Sequence, residues 1–194
     1  MTDIIITKEI MTEEITCTNL DKVWSLYFFK NDRSKEWVDN MQKVIDFETV
    51  EEFWGLMNHI VPPSRLHTGC DYYMFKKDIK PMWEDENNKN GGIWNLVVEK
   101  KQQSTHLDQY WLEILMALIG EVFEEDSEEI CGVSVNLRGK ADRIGVWTSN
   151  ASNEDAVLRI GKRIKETLHV NDVMEYKSHS NTQPNNIVNG SITI

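Results

Sequence analysis

The stretch PMWEDE, residues 81–86, sets Trp83 directly against three carboxylates, Glu84, Asp85 and Glu86. An indole beside an acid suits a flat ligand that is cationic on its face and rich in donors on its edge. Such a ring stacks on the indole while its edge donates to the carboxylate. A plainer reading fits the same residues, a core tryptophan at a strand end followed by a solvated acidic loop, and the stretch alone leaves both open.

A second constellation lies in CGVSVNLRGKADRIGVW, residues 131–147. Period-two alternation assigns Cys131, Val133, Val135 and Leu137 to one strand face and Ser134, Asn136 and Arg138 to the other; the return strand adds Arg143, Gly145 and Trp147 to that second face. A turn over 139–142 sets Arg138 directly across from Arg143. Like charges so placed repel unless an anion lies between them, and guanidinium geometry matches phosphate. The alternative is a solvated hairpin tip with two separated arginines. From Arg138 to Lys165 seven basic residues (138, 140, 143, 159, 162, 163, 165) face three acidic ones (142, 154, 155), so this is where an anion is expected to dock.

The third constellation is apolar. With Leu107 at 0° and ~100° per residue, the core positions of one helix cluster near ~20°, whereas Leu112 falls at ~140° and Met116 at ~180°. On an earlier helix Phe53, Leu56, Met57 and Ile60 make the core face and Trp54 lies ~110° from its centre. Exposed Trp54, Leu112 and Met116 with Glu113 alongside suit a groove for an amphipathic partner helix; a flank covered by the N-terminal arm is the alternative.

These residues need a scaffold. Three amphipathic segments are expected as helices: TVEEFWGLMNHI, with Thr49 and Glu52 in capping-box relation; STHLDQYWLEILMALIG, capped by Ser104 and stopped by Gly120; and SNEDAVLRIGKRIKETLH, with Ser152 and Asp155 in the cap relation. Between them VWSLYFF, QKVIDF, DYYMF, IWNLVV, CGVSVNLR, RIGVW and VMEY read as strands, and a further strand closes the C-terminus. With no repeat of parallel βαβ units, this order predicts an α+β chain: one antiparallel sheet, helices on a single face, the other face open to a ligand.

Composition limits the partners. In 194 residues, 32 Asp and Glu stand against 21 Lys and Arg, a formal net charge of -11, which opposes a protein that grips long stretches of nucleic-acid backbone. No apolar run reaches membrane-spanning length, and MTDIIITKEIMTEEIT lacks the basic start and long apolar stretch of a signal peptide, so a cytosolic or nuclear chain is expected. Cys17, Cys70 and Cys131 form neither a C-x-x-C pair nor a set with histidine at ligand spacing, and are read as reduced, buried thiols.

With Trp37, PMWEDE, the arginine hairpin and the Trp54 surface in view, the chain from about Trp24 to His179 resembles the eukaryotic translation initiation factor 4E family of messenger RNA cap-binding proteins. WSLYFFKNDRSKEW, FETVEEFWGLMNHI, GCDYYMFKKDIKPMWEDE, NKNGGIW, DQYWLEILMALIGE, CGVSVNLRGKADRIGVWT and YKSH carry the resemblance. It implies a single curved antiparallel sheet of about eight strands, three long helices on the convex face and a cap-binding slot on the concave face. It further implies a flexible arm over 1–17, a cap-binding domain over 18–194 and a mobile loop at about 178–191.

By the same resemblance Trp37 and Trp83 sandwich a 7-methylguanine whose delocalised positive charge strengthens stacking. Glu84 accepts from the base's Watson–Crick edge, Trp147 touches the methyl group, and Arg138, Lys140 and Arg143 hold the triphosphate. Val50, Trp54, Leu112, Glu113 and Met116 become the dock for the Tyr-x-x-x-x-Leu-apolar helix of scaffold factor 4G and of 4E-binding repressors. The expected partners are thus capped messenger RNA and those proteins, with no membrane, cofactor or metal and with the chain a monomer in itself. Three positions depart from the family pattern: Ile93 stands in GGxW where relatives carry a base facing the phosphates, Thr18-Asn19 replaces a His-Pro that helps dock the partner, and Tyr27 replaces a tryptophan. Ser191 is a weak candidate for tail phosphorylation. The rival readings are a metal-dependent nucleotide hydrolase using Glu84, Asp85 and Glu86, a carbohydrate-binding module, and a cap-binding repressor that does not recruit the scaffold.

Overall fold

The computed structural model describes residues 17–32, 34, 36, 38–102, 106–179 and 191–194. Eight strands form one antiparallel sheet: β1 (Asn19–Lys30), β2 (Met41–Thr49), β3 (Cys70–Lys76), β4 (Gly92–Glu99), β5 (Ile130–Asn136), β6 (Ala141–Thr148), β7 (Glu175–Ser178) and β8 (Ser191–Thr193), in the order β2-β1-β3-β5-β6-β4-β7-β8. Helices α1 (Val50–His59), α2 (Asp108–Ile119) and α3 (Glu154–Leu168) fall within the three amphipathic segments. The α+β architecture expected from the strand and helix order is the one observed.

Periodicity explains which face each element buries. From the sheet, Trp24, Leu26, Met74, Trp94, Val133 and Val146 point to the helix layer, where they meet Phe53 of α1, Trp111, Ile114, Leu115 and Leu118 of α2 and Val157, Ile160 and Ile164 of α3. Removing side chains of this size from water supplies about 1.5–3 kcal/mol each, so this layer fixes the fold. The other face carries only a small cluster, Phe29, Tyr73, Phe75 and Cys131, with Tyr27, Met41, Ile79 and Trp147 at its edge. That face is left for a ligand.

The helix starts show how local signals acted. Thr49 and Glu52 make the full capping box of α1, and Gly120 is the C-cap of α2. The cap of α3 is Asn153, whose side chain accepts from the Ala156 N–H at 3.3 Å, one residue after the expected Ser152. Ser104 lies outside the described residues; α2 instead begins at Asp108, whose carboxylate accepts from the Ser64 N–H and hydroxyl at 2.8 and 2.6 Å.

Two corrections concern the hairpin. The register pairs Ile130 with Thr148 but Gly132 with Trp147, so Cys131 is an extra residue in β5. The bulge turns Cys131 to the open face and gives its core place to Ile130. Gly132 is required there, because a Cβ would sit 2.5 Å from both the Met74 carbonyl oxygen and the Phe75 ring. At the hairpin tip Arg143 pairs with Asn136, not Arg138, because β5 ends before Arg138. The two arginines therefore do not oppose one another.

The thiols also divide: Cys70 and Cys131 are buried, whereas Cys17 is exposed, and all three are free. The N-terminal arm to residue 16 and the loop 180–190 lie outside the described residues, while Ser178 and Ser191, at the expected loop's ends, belong to β7 and β8. No described helix is long and apolar enough to cross a membrane.

Candidate functional site

The loop after β3 is held from inside. Asp85 accepts from the Lys80 N–H at 3.1 Å and from the Asn87 N–H and amide at 2.9 and 3.0 Å, and the fully buried Asn88 donates to the carbonyls of Lys80 and Met82, both at 2.8 Å. Burial alone would raise the pKa of Asp85, but the bonds from Asn87 and Lys80 outweigh it and hold the carboxyl below its usual range. With Asp85 turned inward, Glu86 turns out to Lys89 at 2.5 Å. Glu84 is exposed with no hydrogen-bond or ion-pair partner among the described residues. The three carboxylates of WEDE thus diverge.

Trp83 is 45% exposed, which excludes the core reading of PMWEDE. It lines a cleft of about 420 Å³ together with Val38, Tyr73, Pro81, Met82, Glu84 and Trp147. Trp37 lies outside the described residues; its chain neighbour Val38, 61% exposed, lines the cleft. Trp147 is fixed on the sheet. Its Nε1 donates to the Ser134 hydroxyl at 3.2 Å, its ring meets Phe75 edge-on at 5.4 Å and 69°, and His179 lies against it at 4.8 Å. Burial drives the His179 pKa down to about 4, so the ring beside Trp147 is neutral at physiological pH.

The basic residues behave differently from one another. Arg138 is bound to Asp71 through two parallel bonds, Nη1 to Oδ1 at 2.5 Å and Nη2 to Oδ2 at 2.9 Å, and its main-chain N–H donates to Asp142 at 3.0 Å. The hydrogen bonds that Arg138 donates to Asp71 raise its pKa, so its charge is permanent. Lys140 and Arg143 are exposed and have no ion-pair partner among the described residues. The basic run read along the chain splits in space: Arg159 pairs with Asp126 at 2.6 Å and Arg163 reaches Glu124 at 3.9 Å beside α3. Lys140 and Arg143 at the hairpin are thus set apart from the cations of α3, where Lys162 and Lys165 also have no ion-pair partner among the described residues.

Two site-supporting residues escaped the sequence reading, Asp71 beneath Arg138 and Tyr73 in the cleft wall; Ser134 was placed on the open face but not as the acceptor beneath Trp147. A lone acid opening DYYMF was the one available signal, since an Asp in an otherwise apolar strand needs a partner. Ile93 pairs with Trp147 on one side and Lys177 on the other, so these three stand in one row across the open face.

On the helix-covered side, Val50 is half-buried and Trp54 stands one turn further along α1, 40% exposed and edge-on to Phe53 at 5.2 Å. Met116 on α2 is 37% exposed, while Leu112 is half-buried against the core and does not point fully outward as its angle predicts. Glu113 accepts from Gln109 at 2.8 Å through Oε1, and its Oε2 is buried without a partner among the described residues. Thr18 ties the start of β1 to α1, donating to Glu51 at 2.9 Å and accepting from the Val50 N–H at 2.9 Å.

Comparison with known proteins gives a consistent outcome. The profile of the family described as Eukaryotic initiation factor 4E matches residues 19–191. An Aplysia californica eukaryotic translation initiation factor 4E is 50% identical over 165 residues, 84% of this chain and 77% of the relative. Crystal structures of Ascaris suum eIF4E-3 in complex with the m2,2,7G cap and with the m7G cap superpose with a TM-score of 0.87 at 46% identity, covering 92% of this chain and 99% and 98% of those chains. Caenorhabditis elegans eIF4E-3, in complex with the 4E-binding protein Mextli and a cap analog, superposes with a TM-score of 0.83 at 43% identity over 91% of this chain and 100% of that one.

Proposed function

The chain belongs to the eukaryotic initiation factor 4E family, and from that premise we propose that it binds the 7-methylguanosine cap of messenger RNA in the cytosol and recruits a 4G-type scaffold to start translation. One observation carries the reading: an exposed indole, Trp83, and an exposed carboxylate without a partner, Glu84, line a cleft backed by a second, fixed indole, Trp147. A methylated purine is a permanent cation with donors on its edge, and it fits that pairing. Trp37 is assigned the opposing stacking face. Arg143, Lys140 and the outward part of the Arg138 guanidinium are assigned the phosphates.

Each stacking face contributes ~1–3 kcal/mol and the carboxylate edge ~1.5–3. Tryptophan fluorescence titration with 7-methyl-GTP and plain GTP tests this. Strong quenching is expected only with the methylated ligand, and Trp37→Ala, Trp83→Ala and Glu84→Ala each weaken it by about 10- to 100-fold. Equal response to both nucleotides refutes the reading.

On the helix-covered side the exposed Trp54 and Met116, the half-buried Val50 and Leu112 and the unpartnered Glu113 oxygen suit an amphipathic helix that brings apolar anchors and one donor. A peptide of the Tyr-x-x-x-x-Leu-apolar type is expected to bind here; a chain that holds cap but not this peptide is a repressor instead. We infer a binding protein and not a hydrolase, because a metal-assisted reaction needs converging carboxylates whereas Glu84, Asp85 and Glu86 diverge. Release of phosphate from a cap analogue with magnesium refutes that inference.

A further inference from the structure

Beneath the open face, polar side chains join one end of the cleft to the other. The Trp147 Nε1 donates to the Ser134 hydroxyl (3.2 Å), which donates to the Asn136 Oδ1 (3.3 Å). The Asn136 amide donates to the Tyr73 hydroxyl (3.3 Å), which donates to Asp71 (3.1 Å), and Asp71 receives Arg138. Asp71, Tyr73 and Ser134 are buried.

This chain of bonds has only one direction. A carboxylate only accepts and an indole N–H only donates. Asp71 therefore obliges Tyr73 to donate to it, leaving the Tyr73 oxygen to accept from the Asn136 amide. That orients the Asn136 oxygen toward Ser134, whose hydroxyl must donate there and accept from Trp147. Fixed ends of opposite kind hold every rotor between them, and bonds aligned in this way polarise one another away from water.

Arg138 uses three of its five N–H groups on Asp71 and the Leu137 carbonyl, so two remain for a ligand, aimed by the carboxylate beneath. The chain thus spans from the indole assigned to the base to the guanidinium assigned to the phosphates.

We propose that Tyr73 is a positioning residue: its hydroxyl is the middle link of a side-chain rail coupling Trp147 to Arg138, so that a ligand engaging both ends is held more tightly than the two contacts taken separately. This rests on the cap-binding reading. A residue that only packs would affect all ligands alike, whereas a coupling residue affects the advantage of a ligand long enough to touch both ends.

The test compares 7-methylguanosine, which lacks phosphate, with 7-methyl-GTP, by fluorescence titration of the full chain. The readout is the ratio of the two dissociation constants, in which uniform changes in base affinity cancel. Tyr73→Phe keeps the ring against Phe75 and removes the hydroxyl. It is expected to leave nucleoside affinity within about twofold and to shrink the triphosphate's advantage by about fivefold, the effect of one hydrogen bond. Ser134→Ala cuts the rail at the indole end. It is expected to shrink the ratio similarly, and the double variant shrinks it no further. Ser134→Ala carries the test alone if Tyr73→Phe does not fold. An unchanged ratio, equal weakening of both ligands, or multiplying effects in the double variant overturns the rail. Failure of the wild-type chain to bind either probe overturns the cap reading, and the rail with it.

Discussion

The two faces of the sheet are held by different physics. On the helix-covered face, Trp24, Trp94, Leu96 and Val133 interdigitate with three helices, and position follows from apolar volume and period. On the open face the apolar cluster is small, and the residues that matter are held by directed bonds: Arg138 by Asp71, Trp147 by Ser134, the Trp83 loop by Asp85 and Asn88. Packing tolerates substitution of similar volume, whereas a directed network fails when one partner goes. A functional surface that must stay open to solvent cannot use the first method.

The largest effect expected from this contrast lies within the open face itself. Asp71 is 1% exposed and depends on Arg138 for compensation. Arg138→Ala leaves a buried carboxylate unpaired and is expected to destabilise the chain by about 3 kcal/mol, the lower end for such pairs because the arginine side is half in water. Arg143→Ala is expected to stay within about 0.5 kcal/mol, since that residue has no ion-pair partner among the described residues. Both variants weaken binding of a cap analogue, yet only the first shifts the urea midpoint. Equal midpoints erase the distinction between a structural and a purely ligand-facing cation.

That pair of arginines also marks the limit of what could be read in advance. The helices, their core faces and the Thr49 capping box were legible because each signal repeats within a few residues. The strands were legible as segments, but not their register. Nothing local in NLRGKAD says where β5 stops, so Arg138 was set opposite Arg143 when Asn136 holds that place. The bulge at Cys131 depends on Gly132 lying flat against Met74 and Phe75, residues far away in sequence. Asp71 and Arg138, 67 positions apart, find one another only after β3 and β5 pair. Trp83 differs again: its neighbours alone left a ligand-facing and a core reading open, and its exposure removes only the core one.

A second comparison sets the two exposed tryptophans against each other. Trp54 and Trp83 are 40% and 45% exposed on opposite faces. Trp54→Ala is expected to cost a Tyr-x-x-x-x-Leu-apolar peptide about 2 kcal/mol, roughly thirtyfold, and to leave cap-analogue affinity unchanged. Trp83→Ala is expected to do the reverse. Calorimetric titration of both ligands into both variants checks this. Cross-effects of comparable size join the two surfaces into one site and end the separation.

Acid should separate the faces as well. His179 is held neutral by burial against Trp147, with its pKa at about 4 against an ordinary 6.5. A depressed value means that the unfolded chain binds the proton first. The stabilisation is therefore fully present above pH 6.5 and drains away as pH falls toward 4. Between pH 7 and 5 the loss is about 2 kcal/mol, read from urea midpoints, and His179→Gln should flatten the profile. On the helix-covered face burial instead pushes Tyr176 up to about 12, so it adds nothing in that window. A profile that keeps its slope in the histidine variant removes His179 as the cause.

The smallest expected effect concerns Ile93. The resemblance in the sequence implies a base at this position, and here the side chain lies over Gly145, its Cδ1 2.5 Å from where a Cβ would stand. The row Trp147, Ile93, Lys177 shows that a cation introduced at 93 would project between the indole and an existing lysine, which is itself bound to Glu175 at 2.9 Å. Because Glu175 already engages Lys177, the added charge should act on the ligand more than on its neighbour. Ile93→Arg is expected to steepen the salt dependence of 7-methyl-GTP binding by about one unit of log–log slope and to leave 7-methylguanosine indifferent to salt. Titrations across ionic strength decide it. Identical slopes would mean that the phosphates run along Arg138 and Arg143 without approaching β4, and that Ile93 marks the edge of the open-face site and not a gap within it.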